Sequence, residues 1–395
     1  MTQTVYIGGV GMTPFVKPSA GALYLDLGQR AATEAIEDAG IAYDDIEQAF
    51  VGYVYGDSTA GQAALYQVGL TGIPVVNVNN NCASGSSALF LAHQAIASGA
   101  VDCALALGFE QMAPGALADI YSDRPSPLKR FVDIADEVAG GITAPMAIKL
   151  FGAAGKEYQD LYGTKDATFA KISVKARRHA RDNHRAIFRD AVTEDEVLAA
   201  PQLLGPLTRY QACPPTCGGA AVVLMSEDFA RRRGLNGAVR VRGLAMTTDA
   251  TSSFEAPNAI NAVGFDMART AANKVYEAAG IGPDEVDVVE LHDCFTSNEL
   301  LSYEALGLTP VGTAEKFIED GDNTYGGKVV TNPSGGLLSK GHPLGATGLA
   351  QISELTWQLR GEAGSRQVED ANIAVQHNIG IGGACVVTML EAPAA

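Results

Sequence analysis

The sequence predicts a layered α/β protein made of two similar halves, stacked in five layers (α-β-α-β-α) with an inserted loop domain. Three observations carry this. The stretch AATEAIEDAGIAYDDIE at 31–47 recurs without a gap as AANKVYEAAGIGPDEVD at 271–287, an offset of 240. The stretch CGGAAVVLMS at 217–226 recurs as IGGACVVTML at 381–390, an offset of 164. Between these echoes each half holds one more helix with an unusual opening, after Cys82 in the first half and after GHPLGATG (341–348) in the second.

Each copy of the first echo reads as a helix closed by glycine, then a turn, then an apolar strand, AFVGYVYG or VVELHDCF. Both copies of the second echo read as buried strands entered through a glycine pair. Repeated βα units of this kind bury their apolar faces by packing as layers. The fall in offset from 240 to 164 places 76 extra residues in the first half, between Cys82 and Cys217. The less regular, charge-rich stretch holding SDRPSPLKR and KARRHARDNHR is the candidate. The expected division is 1–114 with 208–262 as the N-terminal half, 115–207 as an inserted loop domain, and 263–395 as the C-terminal half.

Composition narrows the function. With 395 residues, 47% of them hydrophobic, and 44 glycines, the chain has the balance of a globular enzyme rich in tight turns. A net charge of −17 argues against nucleic acid or an anionic membrane as partner. No apolar run is long enough to span a membrane, and MTQTVYIGGVGMTPF lacks the basic and apolar regions of a signal peptide. A cytoplasmic protein with reduced cysteines is expected. Cys213 and Cys217 form one C-x3-C pair without a second pair nearby, so no metal site is expected. IGGVG lacks the full dinucleotide fingerprint, and no P-loop occurs.

Four stretches carry candidate chemistry. Cys82 stands between the strand IPVVNVN and a run of small residues, ASGSSA, that would let a helix pass between two sheets. A thiol at a helix N-terminus feels the macrodipole, which lowers its pKa and makes a nucleophile; the alternative is a buried structural cysteine. In GHPLGATG, the glycines and proline fix a tight turn around His342, which would take a proton or donate to an oxyanion, unless it is incidental to a helix start. In HDCF, His292 and Cys294 alternate along a strand end and would face one side, with Asp293 pointing away. In HNIGIGG, His377 and Asn378 precede a glycine turn whose N–H groups, that of Gly382 especially, would make an anion hole. A basic helix face with Lys175, Arg177, Arg178, Arg181 and Arg185 suits either an anionic ligand or solvent.

Taken together, NNNCASGSSALF, FVGYVYGDST, LFGAAGKEY, ELHDCF, NELLSYEALGL, GDNTYGGK, NPSGGLLSKGHPLGATGLAQ, WQLRGEAG and QHNIGIGGA resemble the thiolase superfamily, and within it the sterol carrier protein X type of 3-oxoacyl-CoA thiolase. The resemblance runs from about residue 4 to 391. It implies the thiolase fold, two βαβαβαββ halves plus a loop domain. It also implies cleavage of a branched-chain or sterol-side-chain 3-oxoacyl-CoA through an acyl-Cys82 thioester, in fatty acid or sterol degradation, giving acetyl-CoA or propionyl-CoA. Coenzyme A would be co-substrate, with no tightly bound cofactor. His342 would activate Cys82, and His292 would replace the asparagine that orients an oxyanion water in ordinary thiolases. Those enzymes carry a second cysteine in a late turn, which here is Gly380-Ile381-Gly382, so Cys294 would supply that thiol. The backbone N–H groups of Cys82 and Gly382 would form a second oxyanion hole, with His377 and Asn378 in support. Arg177, Arg178 and Ser252 are the candidates for binding coenzyme A.

A homodimer or dimer of dimers is implied, with a small accessory protein as a further partner. The rival readings are a biosynthetic acetoacetyl-CoA-type condensing enzyme and a thiolase-like retro-aldolase or lipid-transfer-type protein. A condensing enzyme that works by decarboxylation needs no second thiol acid, so Cys294 discriminates against it, and the second would be expected to lose Cys82. A lipid-carrier activity would reside in a further C-terminal module, and the chain is expected to lack it.

Overall fold

The computed structural model describes residues 3–113, 121, 123–235, 237–255 and 258–393. Its strands are β1 (Val5–Met12), β2 (Gln48–Gly52), β3 (Val75–Val78), β4 (Cys103–Glu110), β5 (Gln202–Leu204), β6 (Leu207–Thr208), β7 (Gly218–Ser226), β8 (Val239–Thr247), β9 (Val288–Glu290), β10 (Val330–Thr331), β11 (Ile373–Gly380) and β12 (Ala384–Glu391). β5 and β6 form a separate hairpin, and the other ten make one sheet in the order β10-β9-β11-β12-β8-β1-β7-β4-β2-β3. Counted outward from the middle, one half runs β1-β7-β4-β2-β3 and the other β8-β12-β11-β9-β10. Each half begins with three antiparallel strands and ends with two parallel ones. The two echoes therefore fall on equivalent strands, β2 with β9 and β7 with β12. The halves meet antiparallel at β1 and β8 through two residue pairs, Tyr6 with Arg240 and Ile7 with Val239.

Side-chain alternation sorts the core into three apolar layers. Leu105, Leu107, Val223 and Met225 face outward against the helix Tyr24–Ala39. Ala104, Ala106, Val222 and Leu224 face inward, where the helices Ser84–Ala97 and Thr347–Arg360 lie between the two half-sheets. On the far side Val375, Val387 and Met389 pack under the helices Phe265–Ala279 and Thr296–Ala305. Both echo helices end on a left-handed glycine, Gly40 and Gly280.

The middle layer is tight because main chain touches main chain. A Cβ on Gly85 would lie 2.5 Å from the Gly345 carbonyl oxygen, and one on Gly345 2.7 Å from that of Gly52. A Cβ on Gly108 would also collide with the Gly345 oxygen. Four glycines thus let the start of Ser84–Ala97 and the GHPLGATG turn press against each other and the ends of β2 and β4.

Between β4 and β7 come the helices Lys129–Val138, Met146–Tyr162, Asp166–Ala180 and Glu194–Leu198, followed by the β5–β6 hairpin. Leu150, Phe151, Phe169 and Ile172 of this stretch share the far-side core with Leu291, Leu300 and Tyr303. The buried Lys175 ammonium reaches Glu299, Tyr303 and Thr331. Residues 114–120, at the expected start of the insertion, lie outside the described residues.

Candidate active site

Cys82 sits two residues before Ser84, the first helical residue, and Ala83 is the N-cap. The asparagine run ahead of it is a clamp. The Asn80 amide N–H donates to Ser84 Oγ (2.9 Å) and its side chain donates to Ser87 Oγ (2.9 Å). Asn81 adopts a left-handed φ of 51° and donates from Nδ2 to the Ile381 carbonyl (2.8 Å). That bond ties the Cys82 turn to the late glycine turn. Gly380 packs against Asn80 and Ala83 with no room for a Cβ, and Gly382 has a φ of 106°.

Cys82 Sγ and ring nitrogens of His292 and His342 lie within 4.8 Å of one another. The two imidazoles meet edge to face, centroids 5.1 Å apart at 83°. His342 is held by its backbone N–H on Thr216 Oγ1 (3.1 Å) and by Nδ1 on Thr347 Oγ1 (2.7 Å). The Thr347 hydroxyl spends its own hydrogen on the Pro343 carbonyl (2.9 Å), so it accepts from His342, and the proton is on Nδ1. Nε2 is then a bare lone pair, buried and without a partner. Burial pushes the His342 pKa down to about 3, so the ring is neutral and ready to accept a proton.

The thiol differs from the expectation. Burial, and then the nearby Glu110 carboxylate, push Cys82 up to about 12 rather than down. The helix terminus acts on Cys82, but loss of water and a neighbouring acid outweigh it. The resting pair is a thiol beside a neutral imidazole. Glu110 is buried at the end of β4 and accepts from the N–H groups of Val54 (3.1 Å), Tyr55 (2.9 Å) and Gly345 (2.9 Å). It joins the loop after β2 to the His342 turn, and burial raises its own pKa to about 7.

β9 ends at Glu290, so His292 and Cys294 lie in the turn beyond it and not along a strand. Asp293 accepts from the backbone of Leu337 (2.7 Å) and Leu338 (3.2 Å), a structural task. His292 Nδ1 contacts Asn378 Nδ2 at 2.9 Å. Burial holds the His292 pKa well below its usual value, with His342 and His377 adding to the effect. Cys294 is buried and its thiol is pushed well up, first by burial and then by the Cys213 and Cys82 sulfurs. Cys213 also donates its backbone N–H to the Cys294 carbonyl (2.9 Å). Cys217 instead lies in the outer layer of the N-terminal half, its thiol on the Met112 carbonyl. The C-x3-C pair therefore does not converge, and Cys213 is a third thiol near the site.

The remaining candidates are spread more widely. His377 and Asn378 alternate along β11, and the buried His377 ring has no hydrogen-bond partner among the described residues. Arg177 lies over Phe188 (4.2 Å) and Tyr210 (5.9 Å), and Arg178 donates to Thr324 (2.9 Å); neither contact involves the cysteine–histidine cluster. Ser252 is exposed in the turn Thr251–Ser253, beside Asp249, which packs against Gly383 of the late glycine turn. Asn80, Asn81 and Glu110 were given no role from sequence, and Cys213 was noted there only as half of a C-x3-C pair. Glu110 left a trace there, as an acid closing the apolar run CALALGFE.

Residues 5–228 match the family "Thiolase, N-terminal domain", and residues 249–391 match "Thiolase C-terminal domain-like". The chain belongs to the thiolase family. This thiolase is 53% identical to "Sterol carrier protein 2" of Homo sapiens over 393 residues, 98% of this chain and 72% of that protein. It is 47% identical to "Non-specific lipid-transfer protein-like 2" of Caenorhabditis elegans, covering 98% of this chain and 96% of that one. Among solved structures, the "Ltp2-ChsH2(DUF35) aldolase" superposes with a TM-score of 0.83 at 22% identity, covering 99% of this chain and 98% of that one. Human mitochondrial 3-ketoacyl-CoA thiolase in complex with CoA superposes with a TM-score of 0.73 at 17% identity, covering 99% and 98%. These superpositions establish the thiolase fold, and the family makes this chain an acyltransferase.

Proposed function

We propose that this thiolase cleaves branched-chain or sterol-side-chain 3-oxoacyl-CoA by thiolysis, in fatty acid or sterol degradation. The observation that carries the reading is the Cys82 sulfur grouped with two buried imidazoles, one of which points an unpartnered Nε2 into the group. Cys82 passes its proton to His342 Nε2 and attacks the 3-oxo carbon. The tetrahedral oxyanion collapses, and the bond between C2 and C3 breaks with its electron pair on C2. The resulting enolate of acetyl-CoA or propionyl-CoA takes the Cys294 proton and leaves. Coenzyme A then gives its thiol proton to the Cys294 thiolate and attacks acyl-Cys82. Cys82 leaves as thiolate and recovers its proton from His342. His292 and the N–H groups of Cys82 and Gly382 bind the oxyanions, each such donor contributing about 2.7–4 kcal/mol. Burial suits Cys294 to its part, since a raised pKa keeps the thiol protonated until the enolate carbon forms and makes its thiolate a base strong enough to take the coenzyme A proton.

Coenzyme A is the co-substrate, with Ser252, three residues beyond the Asp249 that packs against Gly383, as the more direct contact than Arg177 or Arg178. Within the 115–207 segment and the 250–262 loop, the described residues shape the acyl pocket. We place the protein in the cytoplasm, in keeping with six free thiols; among the described residues no helix is long and apolar enough to cross a membrane. A homodimer is supported by β3, an edge strand whose Val76 is 38% exposed, beside Tyr66 at 58% and Leu70 at 80%. Tyr66 and Leu70, with Val75 of β3, border a cavity of about 510 Å³. A dimer of dimers and a small accessory protein extend the same proposal.

The test is thiolysis of acetoacetyl-CoA against a 2-methyl-branched 3-oxoacyl-CoA, with acylation followed by mass spectrometry. Cys82→Ala should form no acyl-enzyme, and Cys294→Ala should acylate poorly and stall. Full turnover in Cys294→Ala removes that residue from the scheme. Cleavage without any acyl-Cys82 favours a retro-aldol reaction instead.

A further inference from the structure

Asn378 belongs to a chain of buried polar side chains anchored at one end on a backbone carbonyl. The His377 carbonyl oxygen can only accept, and Gln351 Nε2 donates to it (3.2 Å). Gln351 Oε1 therefore faces Gln376 and accepts from its Nε2 (2.9 Å). Gln376 Oε1 in turn accepts from the Thr388 hydroxyl (3.0 Å). The second hydrogen on Gln376 Nε2 goes to Ser86 Oγ (2.9 Å). Ser86 still has its own hydrogen to give, and it donates to Asn378 Oδ1 (2.9 Å). In this arrangement Asn378 presents Nδ2, a donor, to His292 Nδ1 (2.9 Å).

We propose that Gln351, Gln376 and Ser86 are positioning residues that act through Asn378 to keep His292 protonated on Nε2 and bare on Nδ1. The pocket then holds two neutral imidazoles in opposite tautomers. His342 offers a lone pair at Nε2 for the thiol proton, and His292 offers an N–H at Nε2 to an oxyanion. Neither ring can exchange roles without breaking a buried hydrogen bond. Room for the chain comes from Gly348, where a Cβ would collide with Ser86 Oγ and lie 2.8 Å from Asn378 Oδ1. The use of this lock rests on the thiolytic reading, but its existence does not.

The experiment is ¹⁵N NMR of the full chain labelled at its six histidines, with the His292→Asn spectrum identifying the His292 signals. Wild type should show His292 with hydrogen on Nε2. Ser86→Ala frees Asn378 to turn over, so the proton should appear partly on Nδ1. Its kcat for thiolysis should fall about 10- to 100-fold, less than the roughly 100- to 1000-fold of an oxyanion donor removed outright because the shift is partial, with KM within about twofold. Asn378→Asp puts an acceptor opposite Nδ1 and should move the proton there with Ser86 intact. If Ser86→Ala does not fold, the wild-type and Asn378→Asp spectra decide the question. A wild-type ring protonated on Nδ1 overturns the proposal, as does Ser86→Ala with unchanged tautomer and kcat. A wild type with the Nε2–H ring but no thiolysis upholds the lock and sinks the proposed reaction.

Discussion

Glu110→Gln should make the protein less sensitive to rising pH than the wild type. Glu110 bridges Val54 and Tyr55 to Gly345, and burial raises its pKa from 4.5 to about 7. The folded chain therefore keeps this proton at pH values where the unfolded chain has lost it. Its contribution to stability is complete below about pH 4.5 and is lost as pH rises through about 7. Between pH 5 and 8 the loss is about 2–3 kcal/mol. Glutamine has no proton to lose. At roughly 2.1 cal/mol/K of unfolding entropy per residue, the 395-residue chain converts this into a Tm change of about 3 °C. The variant should start less stable, since its amide faces a backbone donor that the carboxyl accepted. Thermal unfolding at pH 5, 6, 7 and 8 should then show the wild-type advantage shrinking by about 3 °C. A constant gap refutes the reasoning, and a widening one shows that the carboxylate is stabilised as an ion.

Three further outcomes are expected. Iodoacetamide labelling of Cys82 in the free enzyme should keep accelerating from pH 6 to 9, because burial holds the thiol near 12; a plateau near neutrality indicates a resting thiolate–imidazolium pair instead. Gly85→Ala would ordinarily favour a helix by about 1 kcal/mol, yet its methyl would lie 2.5 Å from the Gly345 oxygen, so Tm and kcat should both drop. Val76→Lys on the exposed edge of β3 should shift the protein to monomer in analytical ultracentrifugation; an unchanged sedimentation coefficient moves the dimer interface elsewhere.

Much of the fold was legible because glycine-closed helices and glycine-entered strands survive duplication visibly. The equivalence of β1 with β8, or β4 with β11, was not, since the polar side chains of β8 (Arg240, Arg242) and β11 (Gln376, His377, Asn378) have no counterpart in β1 and β4. At the site, Cys82, His292 and His342 stood out because each sits in a turn with a rigid local signature. Ser86, Gln351 and Gln376 did not, since their partners lie 25 to 292 positions away and a serine in a small-residue helix reads as filler. The glutamine inside IAVQHNIG was the available signal, a polar side chain where a central strand wants none. The direction of the Cys82 shift failed for a related reason. A helix terminus is local and can be read from sequence, whereas enclosure by distant segments and the approach of Glu110 are tertiary.

The bare crossing of Gly52, Gly85, Gly108 and Gly345 sets terms for how such a protein can diversify. Since peptide groups rather than side chains make the seam, no substitution there can be absorbed by a change of rotamer, and every added carbon wedges nucleophile and base apart. New acyl preferences must be written in the peripheral helices, around a centre that tolerates no embellishment.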